Sequence, residues 1–233
     1  MSAPSLRARV RSEMTEEIKA VARRRLAADG ANLSLRGVAR DMGVVASALY
    51  RYFPSRDDLL TALITEAYEA LATAAREADA RVPRTDTRGR WLAVGHAVRE
   101  WALAHPAEYG LLYGSPVPGY AAPQDTGAPA TAVVFLLVGA AAEAAQERPG
   151  ALPQSAPLPE AVRADLRRLI DQQPGEIPEE LLGRVFAGWV HLFGLVSFEV
   201  FGRMEATIEA RREYFEHQMG LMADLAGLPS GAH

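Results

Sequence analysis

Apolar residues along this chain recur every three to four positions, which is the spacing of one face of an α-helix. The first such pattern runs from Ile18 to Leu26 and closes at Asp29 and Gly30, with Arg23 on the outer face. No segment shows the strict alternation of a half-buried β-strand. The pattern therefore predicts an all-α fold.

Capping residues divide the next part of the chain into two short helices. Ser34 has the side chain of an N-cap and precedes a short second helix, and Gly43 ends that helix. A third helix is predicted over residues 46–53, because Pro54 stops it.

Ser55 caps a fourth helix that is predicted over residues 56–80, with acidic residues in its first turn. Later helices are predicted at residues 88–104, 107–113, 128–147, 159–172, 178–203 and 206–227.

Composition excludes several classes of protein. The 233 residues are 49% hydrophobic and contain no cysteine, which rules out disulfides, zinc–thiolate sites and thiol catalysis. The N-terminus is too polar for a secretory signal, and the apolar stretch 130–142 is shorter than the roughly 20 residues that span a bilayer. We therefore expect a cytoplasmic protein with no membrane partner.

The net charge of -4 hides an asymmetry. Residues 1–60 hold 11 basic and 7 acidic residues (+4), so residues 61–233 hold 14 and 22 (-8). A basic head on an acidic body is typical of a protein whose head alone meets a polyanion, although chance can produce the same split.

The head has the pattern of a helix-turn-helix, in which two short helices cross steeply around a tight turn. Ala39 is the small residue at the crossing, and Gly43 tolerates the positive φ of the turn. Four apolar residues are predicted to face inward: Val38, Met42, Val44 and Leu49. Phe53 is expected to join them in the core. The alternative is an ordinary helical hairpin.

The stretch SLRGVARDMGVVASALYRYFPSRDDLL (34–60) resembles the DNA-binding domain of the TetR family of transcriptional regulators. Two further stretches, HPAEYGLLYGSPVPGY (105–120) and GWVHLFGLVSFEVFG (188–202), resemble a TetR-type C-terminal domain. The resemblance implies a helix-turn-helix domain over residues 1–55, with a flexible arm over 1–11, and a helical ligand-binding and dimerisation domain over 56–233. We interpret the arm either as a solubilising terminus or as a minor-groove contact.

Eight residues are predicted to touch DNA. The N-terminal end of the third helix would enter the major groove with Val45, Ala46, Ser47 and Tyr50. Arg36 matches a position that contacts a base in some relatives, and a phosphate contact is the alternative. Family phosphate-binding positions correspond to Ser34, Tyr50, Tyr52 and Arg56. Val45 departs from the Ser or Thr that is usual at its position in the family.

A single head covers half a site, so we expect a homodimer on a double-stranded, pseudo-palindromic operator. The last two helices are the predicted interface, because each carries apolar residues on two faces. Those residues are Phe186, Trp189, Val190, Phe193, Val196 and Val200 on one helix and Ile208, Tyr214, Phe215, Leu221, Met222 and Leu228 on the other. Internal packing of both faces is the alternative.

Six aromatic residues lie in the middle helices of this aromatic-poor chain and are candidates for a ligand pocket: Trp91, Trp101, Tyr109, Tyr113, Phe135 and Trp189. The resemblance implies a small apolar or amphipathic ligand there; for each residue, packing in the core is the alternative. No hydrolase, nucleotide-binding or metalloprotease motif is present, so no catalytic residue, metal or cofactor is expected. A ligand-released repressor is the predicted function, with a protein-interaction adaptor or an enzyme as alternatives.

Overall fold

The computed structural model describes residues 5–29, 33–121, 127–148, 157–170 and 177–228. Within these ranges the chain forms ten α-helices and no strand, which confirms the predicted all-α class. The helices are α1 (Leu6–Asp29), α2 (Leu35–Asp41), α3 (Ala46–Leu49), α4 (Arg56–Arg81), α5 (Thr87–Ala104), α6 (Pro106–Tyr113), α7 (Gly127–Glu147), α8 (Glu160–Ile170), α9 (Glu179–Val200) and α10 (Arg211–Leu225).

Three helix boundaries differ by four residues or more from the sequence-based expectation. Helix α1 already begins at Leu6, so the flexible arm predicted over residues 1–11 is wrong for residues 6–11; residues 1–4 lie outside the described ranges. Helix α3 ends at Leu49 and continues as turns to Tyr52, because no side chain caps its start and Pro54 follows closely. Helix α10 begins at Arg211, after a run of turns.

The described chain divides into two compact units. The first contains Met1–Glu69 and His105–Gly127, and the second contains Ala70–Ala104 and Ala128–His233. Helix α4 crosses from one unit to the other between Glu69 and Ala70. The functional boundary expected after residue 55 stays a prediction.

The core of the first unit is built by apolar faces of α1, α2, α3 and the start of α4. Ile18 and Val38 are completely buried, and Leu49 and Phe53 close the core from α3 and the turn after it. The burial of Phe53 confirms its expected role.

Helices α1 and α4 are joined by an ion-pair cluster around one buried lysine. Lys19, the one lysine of the chain, is 5% exposed and pairs with Glu16 at 2.6 Å and with Glu66, which also pairs with Arg23. Burial by itself would lower the pKa of Lys19, but the hydrogen bonds and charges of Glu16 and Glu66 raise it above its usual value. Lys19 is therefore charged at neutral pH, and losing its partners would leave a costly buried cation.

In the second unit, α5, α9 and α10 pack against one another around Trp91. The Trp91 side chain is fully buried, and its Nε1 donates a hydrogen bond to the Met219 carbonyl oxygen at 3.1 Å. A Cβ atom placed on Gly188 of α9 would stand 2.8 Å from two ring carbons of Trp91. Gly188 is thus required by this close approach of helix and ring.

Two arginines of α5 make buried ion pairs across the same unit. Arg90 donates to both carboxylate oxygens of Asp79 at 2.8 and 3.2 Å and to Glu143 at 2.5 Å. Arg99 pairs with both oxygens of Glu199 at 2.7 and 2.5 Å. Such forked pairs fix the orientation of the helices that carry them.

By length and composition alone, two described helical stretches could cross a membrane: Ala130–Glu147 and Glu179–Val200. Each contains a carboxylate that is paired with an arginine of α5, Glu143 with Arg90 and Glu199 with Arg99. The core helices of a globular unit pass the same test. We interpret both stretches as core helices of the second unit.

The contact of Gly188 with Trp91 gives a stability prediction. Gly188→Ala should destabilise the protein, because the added methyl group overlaps a buried ring, and overpacking of this kind costs about 1–3 kcal/mol. Gly139→Ala on α7 is the matched control, since a Cβ there meets nothing within 4 Å. The control should be neutral or gain up to about 1 kcal/mol from helix propensity. Urea unfolding of the two variants measures the difference, and equal stability would contradict this packing.

Candidate nucleic-acid interface and ligand core

The second and third helices are held at a tight turn by local hydrogen bonds. Ser34 caps α2, with its Oγ accepting a hydrogen bond from the Gly37 backbone N–H at 3.1 Å. Gly43 has φ +68°, and the Val44 N–H next to it donates to the Ala39 carbonyl oxygen at 3.0 Å. The cap and the turn residue predicted from the sequence are confirmed, and together they set the angle between the two helices.

The packing of α2 against α1 depends on a glycine that the sequence analysis did not single out. A Cβ on Gly37 would lie 2.8 Å from the guanidinium carbon of Arg25. That guanidinium donates to the Gly37 carbonyl oxygen at 3.2 Å and pairs with Asp41 at 2.7 Å. Arg25 thus connects α1 to both ends of α2, a contact that no spacing rule reveals.

Of the four residues expected to face inward, Val38 and Leu49 are buried and Met42 is partly buried against the core. The expectation is wrong for Val44, which is 38% exposed. Val44 follows Gly43 in the turn, where the helical period used for the prediction no longer applies.

The start of α3 presents a mostly apolar surface to solvent. Val45 stands at the N-cap position without a side-chain cap and is 70% exposed; Ser47 is exposed and Ala46 is half-buried. Tyr50 is also exposed, at the C-cap. These side chains are available to a partner because the burial of Leu49 turns them outward.

Three arginines around the two short helices carry uncompensated charge. Arg36 and Arg40 on α2, and Arg51 after α3, are exposed and have no ion pair among the described residues. Arg36 is thus free to meet a base or a phosphate, whereas Arg25 of α1 is engaged by Asp41.

Besides Ser34, whose Oγ caps α2, two of the residues expected to bind phosphate also have contacts within the protein. Arg56 donates from Nε to the Leu33 carbonyl oxygen at 2.8 Å and so ties the start of α4 to the residue before the Ser34 cap. The Tyr52 ring is half-buried beneath the guanidinium of Arg11, 5.6 Å from the ring centroid. Both residues therefore help to position the α2–α3 region, whether or not they also contact phosphate.

The first unit is completed by a segment far along the chain. Helix α6 packs on α1, and Val117, in the loop after α6, is buried in the same core as Ile18. The hydroxyl groups of Thr61 and Tyr120 lie 3.0 Å apart. The sequence does not predict this association, since a single buried valine in a proline-rich loop gives no periodic signal.

The structure distributes the six candidate ligand residues between the two units. Tyr109 and Tyr113 lie in the first unit, with ring centroids 5.1 Å apart, and Tyr113 also meets Tyr68 edge to face at 6.1 Å. Burial raises the pKa of Tyr113 above its usual range, and the neighbouring Tyr68 and Tyr109 add to the shift. Tyr68 belongs to this cluster but was not predicted.

Trp91, Trp101, Phe135 and Trp189 lie in the second unit. Trp91 is fully buried with its N–H satisfied, as expected of a core residue. Trp189 packs between Phe186 and Phe193, at 5.0 and 5.4 Å between ring centroids, and its buried Nε1 has no hydrogen-bond partner among the described residues.

His96 on α5 is, like Trp189, a side chain with a buried nitrogen that lacks a hydrogen-bond partner among the described residues. That nitrogen is Nδ1, and the ring packs against Phe215 with the ring centroids 5.4 Å apart and the planes tilted by 57°. Burial lowers the pKa of His96, so the imidazole is neutral at pH 7 and retains one donor and one acceptor nitrogen.

Helix α9 leaves an apolar row uncovered on the described unit. Phe186, Val190 and Phe198 are exposed at positions that differ by multiples of four, with Gly194 between them. Val190 alone is 54% exposed. The opposite face of α9 is buried, so this helix has two apolar faces and only one of them is satisfied.

Family comparisons agree with the resemblance seen in the sequence. Residues 18–63 match the family described as bacterial regulatory proteins, tetR family, and residues 91–222 match the tetracyclin repressor-like C-terminal domain. Helix-turn-helix-type transcriptional regulators of Mycobacterium tuberculosis and Mycobacterium bovis are 38% identical over 205 residues, which is 84% of this chain and 84% of each relative.

Solved structures share the fold. The crystal structure of a candidate regulatory protein, SCO4313, has a TM-score of 0.77 and 32% identity and covers 95% of this chain and 100% of its own. A TetR family transcription regulator from Marinobacter aquaeolei has a TM-score of 0.62 at 17% identity, covering 93% of this chain and 97% of its own, and supports the fold alone.

Proposed function

Because the chain belongs to the TetR family of bacterial regulatory proteins, whose members are transcription regulators and not enzymes, we propose that it is a repressor. In this proposal a homodimer binds a pseudo-palindromic DNA operator, and a small apolar or amphipathic molecule releases it. The observation that carries the proposal is the α2–turn–α3 geometry, with exposed arginines beside an outward-facing α3.

The proposed recognition surface separates base contacts from phosphate contacts. Arg36 is the proposed base reader, because it is exposed and has no ion pair among the described residues. Val45 and Ala46 would offer methyl contacts to thymine, and Ser47 a hydrogen bond. Ser34, Tyr50, Tyr52 and Arg56 are the proposed phosphate contacts; Arg56 also donates to the Leu33 carbonyl oxygen and pairs with Asp57 at 3.7 Å.

The uncovered row on α9 is the proposed centre of the dimer interface. A row of residues four apart on one helix fits between the same row of a second copy, which is the commonest way in which helices pack. Gly194 in the middle of the row lets the two backbones come close. Large apolar side chains exposed together on one helix commonly mark such contacts.

The chemical class of the ligand is proposed from buried polar atoms that have no hydrogen-bond partner and lie among apolar side chains. Buried polar side-chain atoms without a partner are uncommon in folded proteins, and His96 Nδ1 and Trp189 Nε1 are two such atoms among the described residues of the second unit. Trp101, Phe135 and Trp189 are the proposed aromatic contacts within this unit, and Trp91 is proposed to be mainly structural because its N–H is already bonded. The ligand contacts expected for Tyr109 and Tyr113 of the first unit stay a prediction from the sequence. A ligand with one or two polar groups fits this chemistry.

Selection from a random duplex library tests operator binding. We expect the wild-type protein to enrich a pseudo-palindromic sequence, and Arg36→Ala to relax the preference at one base pair in each half-site by about 1–3 kcal/mol. Arg76→Ala, an exposed arginine of α4 in the second unit, is the control and should select the wild-type sequence. A uniform loss over all sequences would make Arg36 a phosphate contact, and the absence of any enriched sequence would contradict operator binding.

The dimer is tested by placing a charge in the α9 row. Val190→Asp should convert the dimer to monomer in sedimentation velocity, because two carboxylates would be buried across the two-fold axis. Val162→Asp on α8, a similarly exposed valine outside the row, should remain dimeric. A dimeric Val190→Asp protein would place the interface elsewhere.

Ligand control is tested by linkage. A screen of apolar and amphipathic compounds should yield one that raises the unfolding temperature, and the same compound should weaken operator binding about 5- to 150-fold. The operator must then weaken binding of that compound by the same factor. Stabilising compounds that leave operator affinity unchanged, or a screen without any, would contradict release by a ligand.

A further inference from the structure

The N-terminal turns of α1 and the turn after α3 enclose an open groove of about 680 Å³ on the first unit. It is lined by Leu6, Arg7, Ala8, Val10, Arg11, Arg51 and Tyr52. The groove exists because α1 extends twelve residues before the first fully buried core position, Ile18, instead of ending as a flexible arm.

The groove is strongly basic. Three of its lining residues are arginines, and no carboxylate lines it. Arg7 and Arg51 are exposed and have no ion pair in the described part of the chain, in contrast to Arg25 and Arg23 further along α1. The positive charge of the groove is therefore uncompensated and suits an anionic partner.

The three arginines are also organised. Arg7 and Arg11 are four residues apart on α1 and so share one helix face. Arg11 is fixed by two contacts, a hydrogen bond to the Arg51 carbonyl oxygen at 3.4 Å and the Tyr52 ring at 5.6 Å. A guanidinium held in this way can bind a phosphate through two parallel N–H groups at a smaller loss of side-chain entropy.

The groove is continuous with the surface proposed to bind the operator. Arg51 and Tyr52 line it, and they directly follow Tyr50, the last residue assigned to the α3 surface. Leu6, 72% exposed, and Val10 add an apolar edge to the basic floor. Phosphates flanked by apolar sugar edges have the matching chemistry, and a DNA strand leaving the half-site is the nearest source of them.

We propose that this groove binds the phosphodiester backbone of the DNA that flanks each half-site, with Arg7 and Arg51 as the contacting residues and Arg11 as a further contact held by Tyr52. The inference rests on the proposed operator binding and extends it beyond the helix-turn-helix. It makes affinity depend on duplex length outside the palindrome without adding sequence preference, since phosphate contacts carry none.

The test uses the operator selected by the wild-type protein, trimmed to the palindrome or extended by eight base pairs on each side, and measures the dissociation constant against salt concentration. We expect the extended duplex to bind more tightly and with a steeper salt dependence. The Arg7→Ala/Arg51→Ala double variant should lose this advantage. Two arginines on each of two protomers contact four phosphates, and each phosphate contributes about 0.9 to the slope of log K against log salt, so the slope should fall by about 3.6.

Two controls separate phosphate binding from other effects. Arg7→Lys/Arg51→Lys keeps the charges and should keep most of the slope, while Arg76→Ala, with one exposed arginine removed from the second unit, should match the wild type on both duplexes. Circular dichroism of the double alanine variant should show unchanged helix content, because both side chains are exposed.

Wild-type slope and length dependence in the double alanine variant would overturn the inference and leave the proposed operator binding intact. The groove would then be open to an acidic protein segment instead. Wild-type protein that binds neither duplex would overturn the proposed function, and the inference with it.

Discussion

Helix α3 is a single turn of four residues, and its position depends on two anchors, the burial of Leu49 and Phe53 in the core of the first unit. So short a helix is not stable alone in water, because one turn fixes several backbone dihedral angles for a single hydrogen bond. The anchors in turn depend on α1, whose Ile18 and Val21 face them, and on the turn at Gly43. Everything that α3 presents outward follows from what it buries.

The distribution of charge follows the same division. In the described second unit, carboxylates form ion pairs with four arginines: Arg84, Arg88, Arg90 and Arg99. Part of the acidic excess of residues 61–233 therefore stabilises the packing of this unit. In the first unit, three basic residues form ion pairs that connect helices: Lys19, Arg23 and Arg25. Three others have no ion pair among the described residues: Arg36, Arg40 and Arg51. Positive charge without a paired carboxylate is therefore present around α2 and α3, and the overall charge of -4 says little about the partner.

Local features could be predicted from the sequence because they are set by short-range chemistry. A serine oxygen satisfies the free N–H groups at a helix start, and a glycine accepts a positive φ, so Ser34 and Gly43 are correct without knowledge of any tertiary contact. The exposure of Val44 was missed because helical spacing does not hold through a turn. The helical start of α1 was missed because its first residues carry many arginines and no buried face.

Contacts between distant parts of the chain could not be predicted from spacing. Val117 joins the core of the first unit, and Arg56 supports the residue before the Ser34 cap; neither is marked by a local pattern. The resemblance to the TetR family identified which residues to consider, but packing decides how much of each is exposed: Arg36 is exposed, whereas the Tyr52 ring is half-buried and in contact with Arg11. The candidate ligand residues show the same limit, since aromatic content alone does not separate the buried, satisfied Trp91 from Trp189 with its unpartnered N–H.

The central claim is that two copies of α3 meet DNA together, and hydroxyl-radical footprinting of the selected operator tests it most directly. The account predicts two protected clusters, related by the operator's pseudo-two-fold axis, with centres separated by about one helical turn of 10–10.5 base pairs or a multiple of it. A single protected cluster, or uniform protection along the duplex, would contradict it.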